Sequence, residues 1–149
     1  MKKLITTLII LLLPCQLCAE ELNRFITKLR LPTGQMVVIA EGEFEARSIG
    51  SFSVRLYEAA TEPDETTFFT SGLVHPRDGS IEHVSLKDIT DDHLPEIIVI
   101  ARSVGTGNYL SAYAFTFEKN DLSFQTAVEG VSPDANPITA LKDKLDGKL

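Results

Sequence analysis

Tyr109, Ser111, Tyr113, Phe115 and Phe117 alternate with Leu110, Ala112, Ala114 and Thr116, and Phe52, Val54 and Leu56 alternate with Ser51, Ser53 and Arg55. A period of two sends successive side chains to opposite faces, so these segments are strands rather than helices. Further strands are expected over 23–30, 35–41, 66–74, 81–87, 96–102 and 122–128. Turn chemistry separates them: Pro32-Thr33-Gly34, Glu62-Pro63-Asp64, Pro76-Arg77-Asp78-Gly79, Asp91-Asp92-His93 and Lys119-Asn120-Asp121. About eight short strands spaced this way make an all-β protein, an antiparallel sandwich or barrel. No ten-residue helical pattern separates the strands, which argues against an alternating parallel α/β fold. A short C-terminal helical segment is expected over 137–145, where Ile138, Leu141 and Leu145 have helical spacing, with its Lys-rich end, Asp143 to Leu149, expected to fray.

The first nineteen residues stand apart from this pattern. Met1-Lys2-Lys3 is basic, Leu4 to Leu13 is almost wholly apolar, and small or turn-forming residues follow to Ala19. That is the order of a secretory signal peptide, and the apolar run is shorter than the roughly twenty residues a membrane-spanning helix needs. Residues 20–149 then form a single β-domain. Pro14 and Leu17, directly before Cys15 and Cys18, are larger than a lipidation site prefers, so cleavage near Ala19 is expected and both cysteines leave with the leader. The exported chain has no disulfide or thiol nucleophile. Losing Lys2 and Lys3 lowers the fourteen basic residues to twelve against twenty-one acidic ones, a formal charge of −9. Nucleic acid and anionic membranes reward basic patches and are poor partners for such a chain, whereas a basic protein is attracted.

Four groups of residues can carry chemistry. His75, His83 and His93 lack the close spacing of metal ligands and read as solvated residues in or beside turns. Glu41, Glu43 and Glu45 alternate along a strand-like stretch; paired acids hydrolyse glycosides, but a row on a chain this acidic is more simply a solvated face. The segment from Asp88 to Glu96 resembles the Asp-rich turn of calcium-binding propeller blades, which supports an alternative reading as a calcium-dependent carbohydrate-binding or adhesion module. It lacks the loop glycine and occurs once, so a turn stabilised by its own aspartates is expected, with no metal or cofactor. The segment Ser103-Val104-Gly105-Thr106-Gly107-Asn108-Tyr109 joins two glycines to hydroxyls that can donate to carboxylates. It is either a hairpin turn with Tyr109 packed at the strand start or a rigid binding loop with an aromatic anchor.

That segment also belongs to an echo. Ala46-Arg47-Ser48-Ile49-Gly50-Ser51 runs into Ser53-Val54-Arg55-Leu56-Tyr57, and Ala101-Arg102-Ser103-Val104-Gly105 runs through Thr106-Gly107-Asn108-Tyr109 into Leu110-Ser111. Each phrase reads as a strand-loop-strand corner rather than a duplicated domain. With Leu31-Pro32-Thr33-Gly34-Gln35 and the leader, these phrases resemble the periplasmic inhibitors of invertebrate-type (I-type) lysozyme over most of the exported chain. The resemblance implies a non-enzymatic, homodimeric antiparallel β-sandwich whose Ser-Gly-x-Tyr loop enters the active-site cleft of lysozyme. Carried over, Thr106 stands for the motif's Ser, Gly107 for its Gly and Tyr109 for its Tyr, with Ser103 and Asn108 beside them. Arg47, Ser48, Gly50 and Ser51 of the other phrase are then a second contact or a support for the first.

Overall fold

The computed structural model describes residues 23–62, 65 and 67–149, so the leader expected at 1–19 lies outside the described residues. Among the described residues, eight strands run in sequence order: β1 (Ile26–Arg30), β2 (Gln35–Glu41), β3 (Ile49–Ala59), β4 (Phe69–Asp78), β5 (Ser80–Lys87), β6 (Glu96–Arg102), β7 (Leu110–Glu118) and β8 (Asp121–Val131). One helix, α1 (Pro137–Leu145), follows. Strands β1 to β4 form one antiparallel sheet and β5 to β8 another, each in sequence order. The two sheets pack face to face as the expected sandwich.

The alternating residues meet between the sheets. Val37, Ile39, Phe52, Val54 and Leu56 of the first sheet pack against Val84, Ile97, Val99, Tyr113 and Phe115 of the second. Each such side chain, fully buried, contributes about 1.5–3 kcal/mol of transfer free energy. The second sheet is buried on its other face as well. There Ile98, Ala112, Ala114 and Val128 lie beneath α1, whose Leu141 is fully buried. This explains the unbroken apolar run Ile97-Ile98-Val99-Ile100-Ala101: a strand covered on both faces has no polar side to alternate with.

Helix α1 starts where its local chemistry dictates. Asn136 caps it by accepting a hydrogen bond from the Ile138 N–H at 2.9 Å, and Pro137 takes a first-turn position where no N–H is needed. Its end is tied rather than frayed. Gly147 has φ +71° and the Lys148 N–H reaches the Asp143 carbonyl at 2.8 Å, closing the last turn.

Several strand boundaries depart from the sequence expectation: β1 starts only at Ile26, β4 only at Phe69, and β8 runs on to Val131, and three further departures lie around the echoed phrases. Strand β4 continues through Pro76, Arg77 and Asp78, which the turn chemistry marked as a loop, and the chain changes sheet only at Gly79. Proline is tolerated because β4 is the edge of its sheet, so the N–H it lacks is not needed by a further strand. Strand β3 begins at Ile49 and pairs Gly50 with Arg77 and Ser51 with Pro76, so half of the first echoed phrase is strand rather than corner. Tyr109 stands outside β7, which begins at Leu110.

Candidate functional site

The strand order brings both echoed phrases to one end of the sandwich, where β2, β4 and β6 finish and β3, β5 and β7 start. They meet at Gly79. Its N–H donates to the Ser48 carbonyl at 2.8 Å. At φ +87° it lies so close to the Arg102 carbonyl and the Ser103 Cα that any Cβ would overlap them. Only glycine combines that left-handed conformation with that approach.

Beneath the first phrase lies Arg77, 2% exposed. Its guanidinium donates to the carbonyls of Ser51 at 3.1 Å, Arg47 at 3.0 Å and Ala46 at 3.4 Å, and also to that of Gly79. Glu41, itself buried, is 3.8 Å from Arg77 and accepts from the Ile81 N–H at 2.7 Å and the Phe25 N–H at 3.3 Å. Glu45 turns back on its own corner, accepting the Ser51 N–H at 2.5 Å and the Ser51 hydroxyl at 2.7 Å. Those two Ser51 hydrogen bonds, the backbone one first, outweigh partial desolvation and hold the Glu45 carboxyl below its usual range. Glu41, Glu43 and Glu45 therefore do not share a strand face: residues 42–48 form a turn, Glu43 points to solvent, and the other two carboxylates are occupied by backbone and side-chain donors.

The second phrase is built differently. The Ser103 N–H donates to the Tyr109 carbonyl at 2.9 Å and closes the neck of the loop, and the Asn108 N–H donates to Gly105 at 3.2 Å to form its turn. Asn108 takes φ +46°, a left-handed conformation that asparagine tolerates better than most residues. A Cβ on Gly107 would overlap the Tyr109 ring, whereas Gly105 has nothing within 4 Å of its Cβ position. The Tyr109 ring thus lies across the Gly107 backbone instead of packing into the core, and 52% of the residue remains exposed. Val104, Thr106 and Asn108 are exposed as well. The loop fixes its backbone and presents a hydroxyl, an amide and a phenol to whatever approaches.

Of the residues singled out in the sequence, Ser103, Thr106, Gly107, Asn108 and Tyr109 stand together on this loop. Arg47 and Ser48 are exposed beside it. Gly50 and Ser51 instead face Glu45 and Arg77 within strand β3. The segment from Asp88 to Glu96 lies at the opposite end of the sandwich. Asp88 accepts from the N–H groups of Asp91 at 2.7 Å and His93 at 2.9 Å, Asp92 accepts from Leu94 at 2.8 Å, and Glu96 accepts from Ile89 at 2.8 Å. Desolvation raises the Asp88 carboxyl pKa, but the surrounding N–H donors, His93 foremost, outweigh it and leave the group below its usual range. Asp91 pairs with Lys142 of α1 at 2.9 Å. The carboxylates serve the turn and its docking to the helix. His75 is not the solvated residue its turn-like context suggested: its ring sits 4.8 Å from those of both Tyr113 and Phe124, at the edge where β4 meets β8.

Sequence reasoning missed Arg77 and Gly79, the two residues that join the corners. Both lie in a stretch that reads as a generic turn, and the one signal there is an arginine between a proline and an Asp-Gly pair.

Residues 23–145 match the family model described as periplasmic lysozyme inhibitor of I-type lysozyme. Among solved structures the chain is similar to the periplasmic lysozyme inhibitor of I-type lysozyme from Aeromonas hydrophila. The two share 44% identity with a TM-score of 0.71, over 78% of this chain and 98% of that one. It is likewise similar to the Aeromonas hydrophila inhibitor in complex with Meretrix lusoria lysozyme, at 45% identity and a TM-score of 0.70, over 79% and 95% of the two chains. The curated proteins contain no match.

Proposed function

The chain belongs to the family of periplasmic inhibitors of I-type lysozyme, and on that premise we propose that it blocks the lysozyme's active-site cleft with the loop from Ser103 to Tyr109. The carrying observation is the contrast within that loop, whose backbone is closed by its own hydrogen bonds while Thr106 and Tyr109 face solvent. Lysozymes cleave wall polysaccharide with carboxyl groups flanking the scissile bond. A loop seated there excludes the sugar, and the Thr106 and Tyr109 hydroxyls donate to the carboxylates that sugar hydroxyls would otherwise meet. Gly107 leaves room for the tyrosine ring, and Ser103 and Asn108 set the loop's neck and turn. Inhibition is occupancy and needs no reaction.

Arg47 and Ser48 are in position for a second contact, with Gly50 and Ser51 supporting them from β3. Export by residues 1–19 places the protein in the periplasm, between incoming enzyme and wall. Its formal charge of −9 after export accelerates encounter with a basic lysozyme, an effect that salt weakens. The assembly we propose is a homodimer. Threonine for the motif's serine keeps the hydroxyl and adds a methyl, so serine at 106 should bind slightly tighter in a close-fitting cleft.

Titration of the exported chain against I-type, chicken-type and goose-type lysozymes in a cell-wall lysis assay tests this reading. Loss of the I-type activity at near-equal molar ratio is expected. Undiminished lysis by the I-type enzyme at molar excess would overturn it.

A further inference from the structure

We propose that Glu82 and Arg102 form a positioning pair that holds the 103–109 loop in its binding shape, an inference that rests on that loop being the inhibitory element. Glu82 lies where the register between β5 and β6 shifts: Ile81 pairs with Ala101 and His83 with Ile100, leaving Glu82 as the extra residue. A bulge of this kind re-aims a side chain that strict alternation would send elsewhere. Its mark is two consecutive exposed residues, Glu82 and His83, between buried Ile81 and Val84.

Arg102 is the last residue of β6. Its Nε donates to Glu82 Oε2 at 2.6 Å and its Nη2 to Oε1 at 3.0 Å, a two-point fork that fixes the guanidinium plane. The remaining Nη1 then points at the Asn108 carbonyl and donates to it at 3.1 Å. That carbonyl belongs to the left-handed residue on which the loop turns back toward Tyr109. The pair therefore links the loop's tip to the rigid end of the second sheet. Without it, only the neck bond at Ser103 and the turn bond at Asn108 hold the loop, and both should open more often. Lysine cannot substitute, because a point charge does not hold a carboxylate and a carbonyl in one plane.

Four chains decide the matter: the wild type, Glu82→Gln, Arg102→Lys and the exchanged pair Glu82→Arg with Arg102→Glu. Each is measured by lysozyme titration, thermal unfolding and amide hydrogen exchange at Ser103 and Asn108. In both single variants the two amides should exchange faster while the unfolding midpoint stays within a degree or two of wild type. If the binding-competent fraction of the loop falls to a tenth, the inhibition constant rises about tenfold. The exchanged pair restores an ion pair but puts a carboxylate, which cannot donate, beside the Asn108 carbonyl, so exchange should remain fast and inhibition weak. Unchanged exchange in the single variants, or inhibition restored by the exchanged pair, would overturn the positioning role. Fast exchange with undiminished inhibition would instead overturn the loop as the inhibitory element.

Discussion

Ala46-Arg47-Ser48-Ile49-Gly50 and Ala101-Arg102-Ser103-Val104-Gly105 are nearly the same words, yet they do opposite work. In the first, the strand follows the phrase: Ile49 and Gly50 already belong to β3. In the second, the strand precedes it: Ala101 and Arg102 end β6, and Gly105 stands in open loop. What lies beneath decides the difference. The first phrase sits on a buried guanidinium that takes up four carbonyls, and Ser51, which follows it, is spent on Glu45. The second is braced at the surface by Arg102 and keeps Thr106 and Tyr109 outward. A corner with an internal partner becomes structure, and a corner held only by its backbone and one surface brace is free to bind.

The largest effect that can break this comparison is at Arg77. Arg77→Met leaves buried Glu41 without its counter-charge and several carbonyls without their donor, and should cost about 3–5 kcal/mol in urea unfolding. A loss below about 1 kcal/mol would mean that the first corner does not depend on its internal partner. Next come the two glycines that occupy the same place in the echo. A Cβ at Gly50 would sit 2.5 Å from Glu45 Oε2 and 3.0 Å from Arg77 Nη2, so Gly50→Ala should lose about 1–3 kcal/mol by overpacking. Gly105→Ala meets open space and should stay within about 0.5 kcal/mol of wild type. Equal losses at both sites would erase the distinction.

The smallest effect is titration of Glu45. Its carboxyl is held below its ordinary range in the folded chain by the Ser51 hydrogen bonds, so the ionised form favours folding. That contribution is fully present above the unfolded pKa and is lost as pH falls through the folded one. The stability difference between wild type and Glu45→Gln should therefore be constant at neutral pH and shrink on acidification below about 4.5. A difference that persists unchanged at pH 2 would show that the carboxylate is not what Ser51 binds.

How much of this was legible beforehand follows the range of the interactions. Strands β2 and β6 and helix α1 begin and end where the flanking turn residues and the helical spacing of Ile138, Leu141 and Leu145 indicate, because those signals are local. Pro76-Arg77-Asp78-Gly79 misled because its residues favour turns, whereas the competing term, Arg77 bonding carbonyls some thirty residues earlier, has no local trace. The bulge at Glu82 is invisible for a related reason: a period-two pattern cannot reveal an extra residue until the partner strand sets the register. At the loop, residue types alone pointed to Thr106 and Tyr109, but either a packed or a presented tyrosine fits the same letters. The contact between Gly107 and the Tyr109 ring, seen only in three dimensions, decides for the presented one.

The central claim, that the second corner is the inhibitory element and the first is its support, is tested most directly by Thr106→Ala with Tyr109→Ala. The doubly substituted chain is titrated against an I-type lysozyme beside a urea unfolding curve. Exposed positions predict a stability change within about 0.5 kcal/mol per site. Loss of a binding hot spot of at least about 2 kcal/mol predicts an inhibition constant raised about thirtyfold or more. A folded double variant that inhibits as well as wild type would contradict the account.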